Sequence, residues 1–155
     1  KINNILNCLK LLLFNNIKIK KISNYFETPS YPNKNFNKFV NISIEISYSN
    51  SIFLLHKKLL FIEKKMGRFR SQKNFPRIID IDIIDFKGFV IKSKNLEIPH
   101  PRAHERNFVL YPLKEINKSW IHPSLKKNID FFIKKLTTTS RIEITRVKKS
   151  DIKEL

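Results

Sequence analysis

Residues 78–84 read Ile-Ile-Asp-Ile-Asp-Ile-Ile, and this alternation constrains the fold more tightly than any other stretch of the chain. In an extended strand successive side chains point to opposite faces. Ile79, Ile81 and Ile83 therefore share one face, while Asp80 and Asp82 share the other, about 6.6 Å apart along the strand. The isoleucine face has to be covered by an apolar layer. The opposite face aims two carboxylates at one point, a hard oxygen site of the kind that suits magnesium when water and substrate phosphates complete its shell. An amphipathic strand showing two acids to water would have the same local pattern. The difference lies in the surrounding cations: Arg77 just upstream, then His100, Arg102, His104 and Arg106. Asp85 has the opposite parity and precedes Lys87-Gly88, so it reads as a strand-end or turn residue.

The rest of the chain divides by period. Ile2, Ile5, Leu6, Leu9, Leu12 and Leu13 recur at three- and four-residue spacing and predict an amphipathic first helix. Residues 17–26 read as a strand ending at Thr28-Pro29, and the polar run to Asn37 as a loop. Val40, Ile42, Ile44, Ile46 and Tyr48 alternate with Phe39, Asn41, Ser43, Glu45 and Ser47, the clearest strand signal in the chain. Ser49 or Ser51 can cap a second helix running to about Met66, with Ile52, Phe53, Leu55, Leu59, Leu60 and Ile62 as its buried stripe and Gly67 as its stop. Residues 68–74 lack periodicity and read as a cationic loop. Downstream, the sequence predicts a partner strand at 89–91, a short helix opening after Pro101, a helix over 123–136 and a last strand over 141–147. This order fits an α+β sandwich, with helices packed on a mainly antiparallel sheet. One domain over 1–147 accommodates it, with 148–155 as a frayed tail.

Composition narrows the function classes. Thirty-one Lys and Arg against 13 Asp and Glu give a net charge of +18, which by itself would suggest nucleic acid or an anionic membrane surface. The lysines are scattered, however, and Lys, Asn, Ile and Phe are abundant together, as A- and T-rich coding produces. Neither nucleic acid nor membrane is therefore expected as a partner. No apolar run approaches the roughly 18 residues of a membrane span, and Leu9 to Phe14 is too short and poorly flanked for a signal peptide. The single cysteine, Cys8, lies among apolar helix residues and reads as a buried thiol in a cytoplasmic protein.

The string Pro-Arg-Ile-Ile-Asp-Ile-Asp-Ile from Pro76, then Ile98-Pro-His, then Glu105-Arg-Asn-Phe-Val-Leu-Tyr-Pro-Leu113 resembles the 6-hydroxymethyl-7,8-dihydropterin pyrophosphokinase family of folate biosynthesis. Further likeness lies in Tyr25-Phe-Glu-Thr-Pro29, similar to the family's pterin-side turn. Phe39-Val-Asn41 resembles its substrate strand, and Gly67-Arg-Phe-Arg70 its arginine loop. The similarity runs from about Lys1 to about Leu136.

The resemblance implies a ferredoxin-like core, a monomer, and transfer of pyrophosphate from ATP to a reduced pterin with release of AMP. It implies that Asp80 and Asp82 hold two Mg²⁺ ions bridging the triphosphate. Arg68, Arg70 and Arg77 would serve catalysis beside them, and Arg70, Arg77, His100 and Arg106 would bind ATP. It assigns the pterin pocket to Thr28, Pro29, Tyr31, Phe39, Asn41 and Phe108. Phe39 and Phe108 would stack on the heterocycle and Asn41 would read its edge. His56 and His122 receive no role.

The chain also departs from the family pattern. The family opens with a central strand and a Gly-Ser-Asn turn before its first helix, whereas this sequence begins at that helix, so two strands are expected to lack a neighbour. The glycine usual before the Pro-Arg pair is Phe75, and the loop's usual tryptophan is absent. A truncated or decayed non-catalytic relative, or a basic nucleic-acid-binding α+β module, is the alternative.

Overall fold

The computed structural model describes residues 1–30, 38–67 and 78–147. Helix α1, Ile2–Phe14, buries Ile5, Cys8 and Leu12, while Leu6 and Leu13, expected in the buried stripe, are 41% and 56% exposed. Cys8 takes the place on the inner face that the leucine pattern left unassigned. The helix stops at Asn16, which adopts the left-handed conformation (φ 59°) that Asn tolerates better than most residues. The amides of Asn16 and Ile17 then bond back to the Leu13 and Leu12 carbonyls, and Ile17 enters the core fully buried.

Each of the two long strands expected from the sequence is split. Strands β1 (Lys18–Ile22) and β2 (Tyr25–Thr28) run out; β3 (Phe39–Asn41) and β4 (Ile44–Ser47) return. β1 pairs with β4 and β2 with β3, both antiparallel, in two separate sheets. The break falls at one level on both sides, and its cause is polar. Ser23 Oγ accepts from the Ser43 amide at 3.0 Å, and Asn24 directs its backbone N–H and its side-chain amide to the Glu115 carboxylate, each at 2.6 Å. Side chains that satisfy the backbone locally compete with a continuous ladder, and here the hairpin changes sheet.

Helix α2, Ile52–Lys65, is capped by Ser51, whose side chain accepts from the Leu54 amide. Its buried stripe is Ile52, Leu55, Leu59, Ile62 and Glu63. Phe53 is 55% exposed, because one residue past Ile52 lies about 100° around the helix from the buried row. Gly67, at φ 90°, ends the segment in the left-handed region open to glycine.

Residues 78–84 do not form the expected strand, yet Ile79, Ile81 and Ile83 pack against a core formed by α1, α2, β1 and β4, with Asp80 and Asp82 exposed. The alternation is as read, but among the described residues this stretch joins no ladder. The expected partner strand is realised instead as β5 (Ile91–Lys92), which pairs with β6 (Glu97–Ile98).

A 3-10 turn at Ala103–Glu105 leads into α3 (Asn107–Ile116), followed by α4 (Ile129–Lys135), α5 (Thr138–Ile142) and β7 (Thr145–Val147). α4 starts later than expected, at the Asn128 cap, so Leu125 precedes it and is 46% exposed. β7 pairs antiparallel with β2. Leu110, Leu113, Trp120, Ile129, Phe132 and Leu136 make a second core beneath α3 and α4. With antiparallel pairings and helices packed on them, the fold is α+β, as expected.

Candidate active site

The site is assembled from two segments distant in sequence. Asp80 and Asp82 project outward because the isoleucines between and beside them are drawn into the first core. The second segment, 98–108, is anchored at both ends by fully buried residues, Ile98 at 1% and Ala103 at 0% exposure. Between those anchors His100 is held in a fixed pose. Its Nδ1 accepts from the Arg102 amide at 3.2 Å, so a neutral imidazole carries its proton on Nε2. That atom lies 3.9 Å from Asp82 Oδ2, and Arg106 Nη1 lies 4.0 Å from the same oxygen.

Two nitrogen donors, one of them the Arg106 guanidinium, thus converge on the carboxylate that the sequence marks as a metal ligand. Pairs this long and this exposed contribute on the order of 0–1 kcal/mol. They are too weak to be retained for stability and weak enough for both donors to turn toward a ligand. Arg106 is the N-cap of α3 and also covers the Phe108 ring, its guanidinium carbon 5.5 Å from the centroid.

Of the residues expected to hold the pterin, Thr28 lies on β2, Phe39 and Asn41 on β3 and Phe108 on α3, and α3 packs on both strands. Thr28 is 5% exposed and stands opposite Phe39 in the ladder, with Phe26 opposite Asn41. Asn41 donates from Nδ2 to Thr28 Oγ1 at 3.4 Å and to the Phe26 carbonyl at 3.5 Å. Both bonds sit at the long limit, which leaves the amide available to a better partner. Phe39 is 51% exposed, an unusual surface position for a large ring, and Pro29 is partly buried. Tyr31, Arg68, Arg70 and Arg77 lie outside the described residues.

Three further polar groups lie outside the expected site residues. Glu63 is 2% exposed and accepts from the Ile81 amide at 2.8 Å. Asp85 is the turn residue expected: its Oδ1 accepts from the Gly88 amide and its Oδ2 from Trp120 Nε1 at 2.8 Å. His122 is buried against Trp120, His104 and Phe132, and its Nδ1 accepts from the Ser124 and Leu125 amides. Burial, then the neighbouring His104, push its pKa below the usual value, against a smaller pull from Asp85. The sequence signal for Glu63 was a lone acid directly after the buried Ile62; nothing comparable marked His122.

Asp80 and Asp82 are the donors suited to a divalent cation. Among the described residues no cluster of three or more metal-ligating side chains occurs, so a cation here would be held by two carboxylates with water and substrate oxygens completing its shell, which fits magnesium. No helix among the described residues is long and apolar enough to cross a membrane.

Comparison with known proteins identifies the family. The family model for 7,8-dihydro-6-hydroxymethylpterin-pyrophosphokinase matches residues 1–118. A folic acid synthesis protein FOL1 of Dictyostelium discoideum is 40% identical over 125 residues, covering 81% of this chain and 19% of that protein. The 2-amino-4-hydroxy-6-hydroxymethyldihydropteridine pyrophosphokinase of Aquifex aeolicus is 37% identical over 116 residues, 75% of this chain and 72% of that protein. The enzyme of the same name from Bacillus subtilis is 37% identical over 100 residues, 64% of this chain and 60% of that protein. The chain thus spans less than a fifth of the Dictyostelium protein and more than half of each bacterial one. Asp80 and Asp82, the His100 and Arg106 donors, and Thr28 and Asn41 all fall within the matched residues, and the chain belongs to the 7,8-dihydro-6-hydroxymethylpterin-pyrophosphokinase family.

Proposed function

We propose that this chain transfers a pyrophosphoryl group from ATP to the hydroxymethyl group of 6-hydroxymethyl-7,8-dihydropterin, releasing AMP. The observation that carries the reading is the convergence of His100 Nε2 and Arg106 Nη1 on Asp82 Oδ2, at 3.9 and 4.0 Å. Family membership supplies the reaction.

Phosphoryl-type transfer needs in-line positioning and cations around the phosphate oxygens, and little covalent chemistry from the protein. Asp80 and Asp82 would hold two Mg²⁺ ions, which when bound neutralise charge on the triphosphate and lower the pKa of the attacking alcohol. His100 donates from Nε2 to a phosphate oxygen, its ring orientation fixed by the Arg102 amide. Arg106 offers a planar fork of donors to the same triphosphate. Arg68, Arg70 and Arg77, by resemblance to the family, would add further cationic donors for the triphosphate.

On the pterin side Phe39 and Phe108 present ring faces, and Asn41 can both donate and accept along the heterocycle's edge. Thr28, Pro29 and Tyr31 line that pocket. On this reading the chain works in the cytoplasm as a monomer and as a single unit over 1–147. The deciding experiment is AMP release from Mg·ATP with and without the pterin. Pterin-dependent AMP supports the reading, and AMP formation at the same rate in both would overturn it.

A further inference from the structure

Among the described residues Glu63 is the buried carboxylate, and a carboxylate withdrawn from water is expensive unless its oxygens are satisfied. It lies on the inner face of α2 beside Ile62, which is fully buried. Cys8 of α1 senses it: burial first, and then the Glu63 charge, push that thiol up to about 11. Its Oε1 accepts from the backbone N–H of Ile81 at 2.8 Å, and that N–H belongs to the peptide joining Asp80 to Ile81. The carboxylate thus takes the role that a neighbouring strand's carbonyl would play, on a stretch that joins no ladder among the described residues. The ends of the stretch are held separately, by Asn4 Nδ2 on the Ile78 carbonyl at 3.2 Å and by Trp120 on Asp85. Glu63 fixes the middle.

We propose that Glu63 is a positioning residue for the transfer reaction, a buried acceptor on α2 that sets the peptide between Asp80 and Ile81 and so the placement of both metal-binding carboxylates. The inference rests on the reading of Asp80 and Asp82 as magnesium ligands. Displacing reacting groups by about 1 Å can cost roughly a hundredfold in rate. Loss of a hydrogen-bonding support behind a metal ligand weakens metal affinity by about 10- to 100-fold. Glu63→Gln keeps an acceptor oxygen at the same reach, whereas Glu63→Asp withdraws it by one methylene.

The test titrates Mg²⁺ at saturating ATP and pterin in wild type, Glu63→Gln, Glu63→Asp and Asp82→Ala, and adds amide exchange at Ile81 in wild type. The expected result for Glu63→Asp is a half-saturating Mg²⁺ concentration raised about tenfold or more, with the pterin KM unchanged. Glu63→Gln should restore it to near the wild-type value, a pattern that simple loss of stability would not give. An unchanged Mg²⁺ midpoint in Glu63→Asp overturns the proposal. If that variant fails to fold, the wild-type measurement decides: protection at Ile81 well above that of Lys94 supports the bond, and equal exchange at both overturns it. Near-normal turnover in Asp82→Ala would instead overturn the metal assignment itself, whatever the Glu63 variants do.

Discussion

At the residue scale the site works through weak contacts that a ligand can replace. Asp82 holds His100 and Arg106 at about hydrogen-bond-plus-one-ångström range, so removing its carboxylate should cost little stability. It should nevertheless abolish magnesium-supported transfer. We predict for Asp82→Ala a melting temperature within a few degrees of wild type and a loss of AMP release of about a hundred- to a thousandfold, given that charge-stabilising groups in transfer sites contribute roughly 3–4 kcal/mol. Initial-rate assays and a thermal melt check both. Asn41→Ala removes two long hydrogen bonds within the protein and the edge reader of the pterin, so its pterin KM should rise about tenfold or more while its ATP KM stays near wild type. Equal losses for the two substrates would remove Asn41 from the pocket. The expected roles of Asp82 and His100 come from short motifs, Asp-x-Asp and Pro-His-Pro, whose chemistry follows from residue type, whereas that of Asn41 comes from the family resemblance. Glu63 was not legible in the sequence, since a buried acid is intelligible only with its acceptor geometry, and its partner is a backbone amide 18 residues away.

At the element scale, α1 and α2 were read well, whereas α4 starts later than expected, α5 was not anticipated and strand extents were read poorly. α2 begins at the Ser51 cap and ends at Gly67 because capping and φ requirements are local properties. Ser51→Ala should destabilise the fold by about 1 kcal/mol, measured as a shift of the denaturant midpoint at unchanged slope, whereas Ser49→Ala should be nearly silent. The two predicted long strands were each divided, for a reason outside their own alternation. Asn24 is drawn to Glu115 on α3 and Ser23 to Ser43, contacts a single-strand pattern cannot contain. Likewise Ile79, Ile81 and Ile83 announced an inward face, yet nothing in their spacing says whether the backbone beside them meets another strand or a side chain.

At the scale of the whole molecule polar contacts tie distant segments together, and two buried or half-buried groups, Glu115 and His122, make stability depend on pH. Trp120 Nε1 donates to Asp85, tying the second core to the end of the Asp80/Asp82 segment. Glu115 bridges Asn24 and Arg146; burial raises its pKa, but the bonds from Arg146 and Asn24 and the Arg146 charge outweigh this and hold it below the usual value. His122 is likewise held below its usual 6.5, chiefly by burial. The sign is the same for both groups: the unfolded chain binds the proton more readily, so stability is full above the unfolded pKa and is lost on acidification. His122 acts first, as pH falls below about 6.5 toward its folded value, and Glu115 acts in more acid solution. We therefore predict a melting temperature that falls between pH 7 and pH 5, and a shallower fall over that window in His122→Asn even though the variant melts lower throughout. An identical slope in both proteins would show that His122 is not the group responsible.

By itself the sequence determined the α+β class, the limits of α2, the outward pair Asp80 and Asp82 and the family, because periodicity, capping and motif chemistry are all encoded within a few residues of one another. Only the tertiary structure decided that His100 and Arg106 meet at Asp82, that the long hairpin breaks at Ser23 and Asn24, and that Glu63 grips the Ile81 amide. Each of these joins groups whose proximity depends on how separate elements pack, and burial and distance between such elements are not properties of any local stretch of chain.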